Sequence, residues 1–112
     1  MKKFVAMYMA PAATIEQMMK ATPAQMKTGM EEWTKWSKKN EKSVVDLGAP
    51  LGKTKRIASA GISDTKNEIT GYSIVQGDSL ESVAKLFKDH PHLRMGPGAS
   101  VDLLEYVAIP GM

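Results

Sequence analysis

Apolar and polar positions divide this chain into strand-like and helix-like segments. In Lys2–Met9, Phe4, Ala6 and Tyr8 fall on one parity and Val5, Met7 and Met9 on the other, which predicts a strand apolar on both faces. Pro11 interrupts it, and Thr14-Ile15-Glu16-Gln17 opens a short helical turn with a capping-box pattern. Thr22-Pro23-Ala24-Gln25 gives a second start signal, with threonine at the N-cap, proline at the first helical position and glutamine at N3. From there Met26, Met30, Trp33 and Ser37, with Gly29 and Trp36 beside them, share one side of a helix expected to end near Asn40 or Lys42. Val44–Leu47 predicts a short second strand, closed by Gly48-Ala49-Pro50-Leu51-Gly52.

The second half repeats this alternation of elements. Lys55–Ile62 has mixed alternation, Ser63–Asn67 is turn chemistry, and Glu68–Gln76 reads as a strand, so the two apolar segments are expected to pair as a hairpin. Asp78 and Glu81 supply a further capping box, and Leu80, Val83, Ala84 and Phe87 form an apolar stripe at helical spacing. Pro91 cannot continue that helix, Gly96-Pro97-Gly98 is a connector, and Ser100–Ile109 predicts the last strand. The order is β-α-β-β-β-α-β, in which the second and third strands could be one bent strand. It predicts an α+β, ferredoxin-like sandwich, an antiparallel sheet with two main helices on one face. A chain of 112 residues is the size of one domain, and residues 1–112 show no linker or internal repeat that would divide them.

The strands carry more apolar surface than two helices can cover. A one-sided antiparallel sheet alternates apolar and polar, whereas here Val101, Leu103, Val107 and Ile109 oppose Leu104, Tyr106 and Ala108 in the last strand, and both parities of the first are apolar. The expectation is a homodimer through the sheet face opposite the helices. A few hundred Å² of apolar area at ~25 cal/mol/Å² amounts to several kcal/mol before association entropy is subtracted. The plainer alternative is that the surplus residues fill a generous monomer core.

Composition removes several chemistries. The chain has no cysteine, which excludes disulfides, thiolate nucleophiles and sulfur-ligated metal sites. No apolar run reaches the length of a membrane span, and the opening MKKFVAMYMAP reads as a strand rather than a signal segment, so a cytoplasmic protein is expected. Net charge is +3, and its clusters, the lysines from Lys35 to Lys42 and the trio Lys53, Lys55 and Arg56, read as solvated faces without a nucleic-acid motif. The glycines match no phosphate-binding fingerprint, and no cofactor is expected.

The concentrated titratable chemistry is His90-Pro91-His92. If the proline begins an extended segment, both imidazoles share a face. His92 is the candidate acid or base in a pocket between sheet and helices, with Asp46 or Asp89 as its orienting carboxylate. The competing reading has a histidine meeting the unpaired carbonyls of a helix C-terminus, and it is preferred for His90. A metal site is not expected, since two histidines lack a third ligand in any established pattern. Trp33, Trp36, Met26 and Met30 read first as core and second as the wall of a small-molecule cavity, with Tyr8 and His90 as further ligand contacts.

The segments VVDLGAPLG (Val44–Gly52), GYSIV (Gly71–Val75), Asp78–Ala84 and HPHL (His90–Leu93), with MKKFVAMYMAP and the Trp33/Trp36 pair, resemble the YCII-related proteins in this order over nearly the whole chain. The resemblance implies a dimeric α/β-barrel of ferredoxin-like subunits. It also implies a cavity between sheet and helices of the kind that related barrels use as monooxygenases, isomerases or decarboxylases. A histidine–aspartate pair is proposed as catalytic in part of that family. His92 matches its recurring Pro-His element, and no aspartate here is matched to its partner. Two functions follow as expectations: binding of a small organic molecule or its cofactor-free conversion (lyase, isomerase or oxygenase type), or a non-catalytic dimeric interaction or regulatory module.

Overall fold

The structure, a computed structural model, describes residues 1–111. Four strands form one antiparallel sheet: β1 (Lys2–Met9), β2 (Val44–Pro50), β5 (Ile69–Gly77) and β6 (Ser100–Glu105), in the order β2-β5-β1-β6. With two helical crossovers on one face, this is the expected ferredoxin-like α+β sandwich. Phe4, Ala6 and Tyr8 of β1 and Ser73 and Val75 of β5 point toward the helices and are fully buried. Val5, Met7, Tyr72, Ile74 and Leu104 lie on the opposite face in matching register, with Asp46 and Asp102 among them. Among the described residues no helix is packed on that face; Val5, Met7, Tyr72 and Ile74 are half-buried there and Leu104 is 50% exposed.

Helix α1 (Ala12–Met19) follows Pro11, and Thr14, expected near its cap, instead lies buried inside it, its hydroxyl donating to the Pro97 carbonyl at 2.5 Å. Helix α2 (Pro23–Lys39) begins at the expected capping box, with Thr22 and Gln25 exchanging backbone and side-chain bonds at 3.1 and 2.9 Å. Its expected apolar stripe is only half used: Trp36 is buried and Trp33 half-buried, while Met26 and Met30 are 54% and 64% exposed. The helix rests by its C-terminal half, where the Trp36 indole N–H donates to the Leu86 carbonyl at 3.0 Å and Lys39 pairs with Asp89 at 2.9 Å.

Helix α3 (Leu80–Leu86) is capped by Ser79 with Ser82 at N3, not by the expected Asp78 and Glu81. Either pair satisfies the orphan N–H groups at a helix start. The segment 55–62 also differs from expectation. It does not pair with β5; β3 (Thr54–Ala58) and β4 (Gly61–Thr65) form a separate two-stranded hairpin with Ile57 opposite Ile62. Local alternation marks a strand but does not choose its partner, and here the sharper turn at Ser59-Ala60 closes the pair. The last strand stops at Glu105, so Val107 and Ile109 are exposed by 85% and 61% rather than paired.

Gly48 sits at an irregularity of β2, with φ +79°, where an added Cβ would drive into the Tyr72 carbonyl oxygen. Glycine is required there, and the bend it permits brings the Leu47 carbonyl over β5. The chain is open for its mass. It exposes 8147 Å², where a compact monomer of this mass exposes about 6,100 Å². Its radius of gyration is 15.6 Å, against about 13 Å for a chain of this length.

Candidate functional site

The sheet's buried face, the C-terminal half of α2 and the turns after α3 converge on His90. Tyr8 points up from β1; Trp33 and Trp36, three residues apart on α2, point down on one face. Phe87 begins a 3₁₀ turn (Phe87–Asp89) directly after α3, and His90 caps a second one (Pro91–Arg94). The proline therefore starts a helical turn and not an extended segment, and the two imidazoles do not share a strand face. Both are nonetheless buried, at 0% and 1% exposure.

Four aromatic rings surround His90. Tyr8 and Phe87 stack on it at centroid distances of 4.9 and 5.6 Å, and Trp33 and Trp36 meet it edge-on at 4.5 Å each. Edge-on and offset contacts are the favoured geometries of aromatic pairs. The His90 Nδ1 accepts the backbone N–H of His92 at 3.0 Å, so in the neutral ring the proton resides on Nε2. That Nε2–H is buried and has no hydrogen-bond partner among the described residues. Burial drives the His90 pKa down to about 3, with the neighbouring His92 and Arg94 acting in the same sense. The imidazole is a neutral donor throughout the physiological range.

His92 differs. Its Nε2 faces the Met9 carbonyl at 2.9 Å, and a carbonyl only accepts, so this nitrogen carries a proton. Burial lowers its pKa, partly opposed by the backbone of Met9 and Ser100. The side chain ties the turn to β1, and its backbone N–H fixes the His90 tautomer. Tyr8 is held as a phenol. The Ser73 hydroxyl donates to the Leu47 carbonyl at 2.6 Å, so its oxygen receives the Tyr8 hydroxyl at 2.8 Å. Burial raises the Tyr8 pKa to about 12.

The structure thus brings Tyr8, Trp33, Trp36, His90 and His92 together and leaves Asp46 apart. Asp46 is exposed on β2, aligned with Ile74 of the uncovered sheet face, and its carboxylate accepts the Gly48 N–H at 2.8 Å. It does not orient His92. The pairing failed because strand parity, shifted by the β2 irregularity, decides which face a residue takes. Asp89 is also exposed, and Lys39 holds its carboxyl below the usual range. Phe87 and Ser73 were missed. Phe87 ends the apolar stripe of α3 three residues before His90, and Ser73 is the one hydroxyl on the inward parity of GYSIV; either position could have signalled the site.

A cavity of about 530 Å³ lies between α1 and α2, lined by Met18, Ala21, Thr28, Gly29, Glu32 and Met95 among others. Gly29 and Glu32 place it within one helical turn of Trp33. Among the described residues no group of three or more His, Asp or Glu could hold a metal ion, and no helix is long and apolar enough to cross a membrane.

No protein-family model matches the chain, and no curated protein is similar to it in sequence. Among solved structures it is similar to 5-chloro-2-hydroxyhydroquinone dehydrochlorinase (TftG) of Burkholderia phenoliruptrix AC1100, in complex with 2,5-dihydroxybenzoquinone. The TM-score is 0.53, with 96% of this chain and 94% of that one covered at 11% identity. It is a likeness of fold alone.

Proposed function

We propose that this chain is a YCII-related protein that binds, and in the enzymatic form of the reading transforms, a small planar organic molecule bearing a hydrogen-bond-accepting oxygen. The observation that carries this reading is the His90 Nε2–H, buried among four aromatic rings and without an acceptor. A buried donor left unmade costs about 1–3 kcal/mol, which a ligand oxygen would recover. The surrounding ring faces would supply stacking to a flat ligand. Trp33, half-buried and on the same turn of α2 as Gly29 and Glu32, is the side chain that would yield to admit it.

Roles follow from the bonds. His90 is the donor, held neutral by burial; a neutral imidazole N–H stabilises negative charge developing on a carbonyl or phenolic oxygen. His92, the residue matched to the Pro-His element, is the positioning residue, because its backbone N–H selects the His90 tautomer. The dehydrochlorinase of similar fold is named for a chlorinated hydroquinone and is in complex with a hydroxybenzoquinone, molecules of this shape and polarity. The functional unit in this reading is a homodimer that packs the Val5, Met7, Tyr72, Ile74 and Leu104 face against its copy. The chain exposes roughly 2,000 Å² more than a compact monomer of its mass, surface that a partner copy would cover in part.

Both tryptophans of the chain touch His90, so tryptophan emission reports on the site directly. Titration with 2,5-dihydroxybenzoquinone and simple hydroquinones, followed by emission and by calorimetry, is expected to show saturable binding, weakened at least ~10-fold in His90→Phe. Equal affinity in the variant would remove His90 from the site. An absence of binding across the whole panel would overturn the ligand class.

A further inference from the structure

Among the described residues the β3–β4 hairpin is a sheet of its own. Its strands pair with one another and with no strand of the main sheet. A lone two-stranded ribbon is at best marginally stable in water, so a hairpin with defined register needs something to lie against. Its residues suit that need. Ile57 and Ile62 are direct cross-strand partners, which places both on one face of the ribbon, and they are 78% and 72% exposed. As a cross-strand pair they steady the ribbon, yet each leaves most of its apolar surface in water. The turn between them is Ala58-Ser59-Ala60-Gly61, small residues that let another surface approach closely.

Charge points the same way. Lys53, at the base of the arm, has no ion-pair partner among the described residues, whereas Lys55 is paired with Asp64. The uncovered sheet face carries the carboxylates Asp46 and Asp102 among its apolar residues, neither of them in an ion pair. Two like faces packed on each other would leave those carboxylates without a counter-charge, and the arm supplies one. Area agrees: about 2,000 Å² of surplus exceeds the ~800 Å² that a standard interface takes from each partner. A patch of five apolar residues on one sheet face falls short of that surplus unless projecting elements also engage.

We propose that the β3–β4 hairpin is a clasp that reaches onto a second copy of this chain. Ile57 and Ile62 seat at the rim of the partner's open sheet face, where Leu104 lies on the edge strand β6, and Lys53 approaches its carboxylates. The proposal rests on the sheet-face dimer put forward above and adds the element that secures it.

The test compares wild type, Ile57→Lys with Ile62→Lys, and Leu104→Lys by sedimentation velocity over nanomolar to micromolar concentrations. The clasp predicts a wild-type dimer, weakened ~100-fold or more in the double variant and further weakened at high salt. A double variant that dimerises as tightly as wild type overturns the clasp and leaves the sheet-face dimer standing if Leu104→Lys dissociates it. A monomeric wild type overturns both. The absence of native cysteines gives an assay independent of variant stability: Ile57→Cys and Leu104→Cys chains are mixed and oxidised. A mixed disulfide between the two single-cysteine chains is expected, and its absence overturns the placement.

Discussion

Acid should loosen this fold well above the range in which its carboxylates titrate. His90 is fully buried, and its pKa falls from the ordinary 6.5 to about 3 on folding. Between those values the unfolded chain binds a proton at this ring and the folded chain does not. Stability therefore rises with pH through this window and is lost as pH falls below about 6.5. From the two pKa values the loss at pH 5, relative to neutral pH, is about 2 kcal/mol, a large share of the 5–15 kcal/mol typical of a domain. His92, also lowered by burial, adds to the loss with the same sign. Urea denaturation of wild type and His90→Phe at steps from pH 7.5 to pH 4.5 measures the effect, and the variant's slope should be shallower by the His90 share. A ring-proton NMR titration of native protein provides the direct check. If the His90 ring titrates between pH 6 and 7 in the folded state, the burial and bonding described here are wrong.

Four further outcomes follow from the structure. Gly48→Ala should cost about 2 kcal/mol or more, through the φ of +79° and the clash with the Tyr72 carbonyl, measured by chemical denaturation. Ser73→Ala should cost roughly 1–3 kcal/mol, because it leaves the Tyr8 hydroxyl and the Leu47 carbonyl without their shared partner. In wild type the phenolate absorbance of one tyrosine should emerge only near pH 12, the stability owed to Tyr8 declining above about pH 10. Met30→Lys should change stability by less than about 0.5 kcal/mol, since that side chain is 64% exposed on α2.

The parts of the site legible in the sequence were those carried by regular periodicity. Tyr8 shares a parity with Phe4 and Ala6, and Trp33 and Trp36 share a helix face, so their inward placement followed from position alone. His90 and His92 were singled out as titratable groups at a helix end, but their roles depended on a backbone conformation that the Pro91 signal leaves open. An extended segment would have paired their rings; the observed 3₁₀ turn instead aims one backbone N–H at the other ring. Asp46 lies on the outer face because the register of β2 shifts between Val44 and Asp46, and no residue of that stretch announces the shift.

Strand and helix periods, capping residues and the excess of apolar positions on both strand parities are local properties, and they were enough to determine the ferredoxin-like order and the uncovered sheet face. Tertiary structure decided which strands pair, how much of α2 is covered and what surrounds His90. These depend on contacts between residues far apart in the chain, such as Tyr8 with Ser73 and Trp36 with Leu86, whose geometry no local pattern encodes. A neutral imidazole with an idle N–H is the sum of several such contacts, so it becomes visible only once the chain has closed around it.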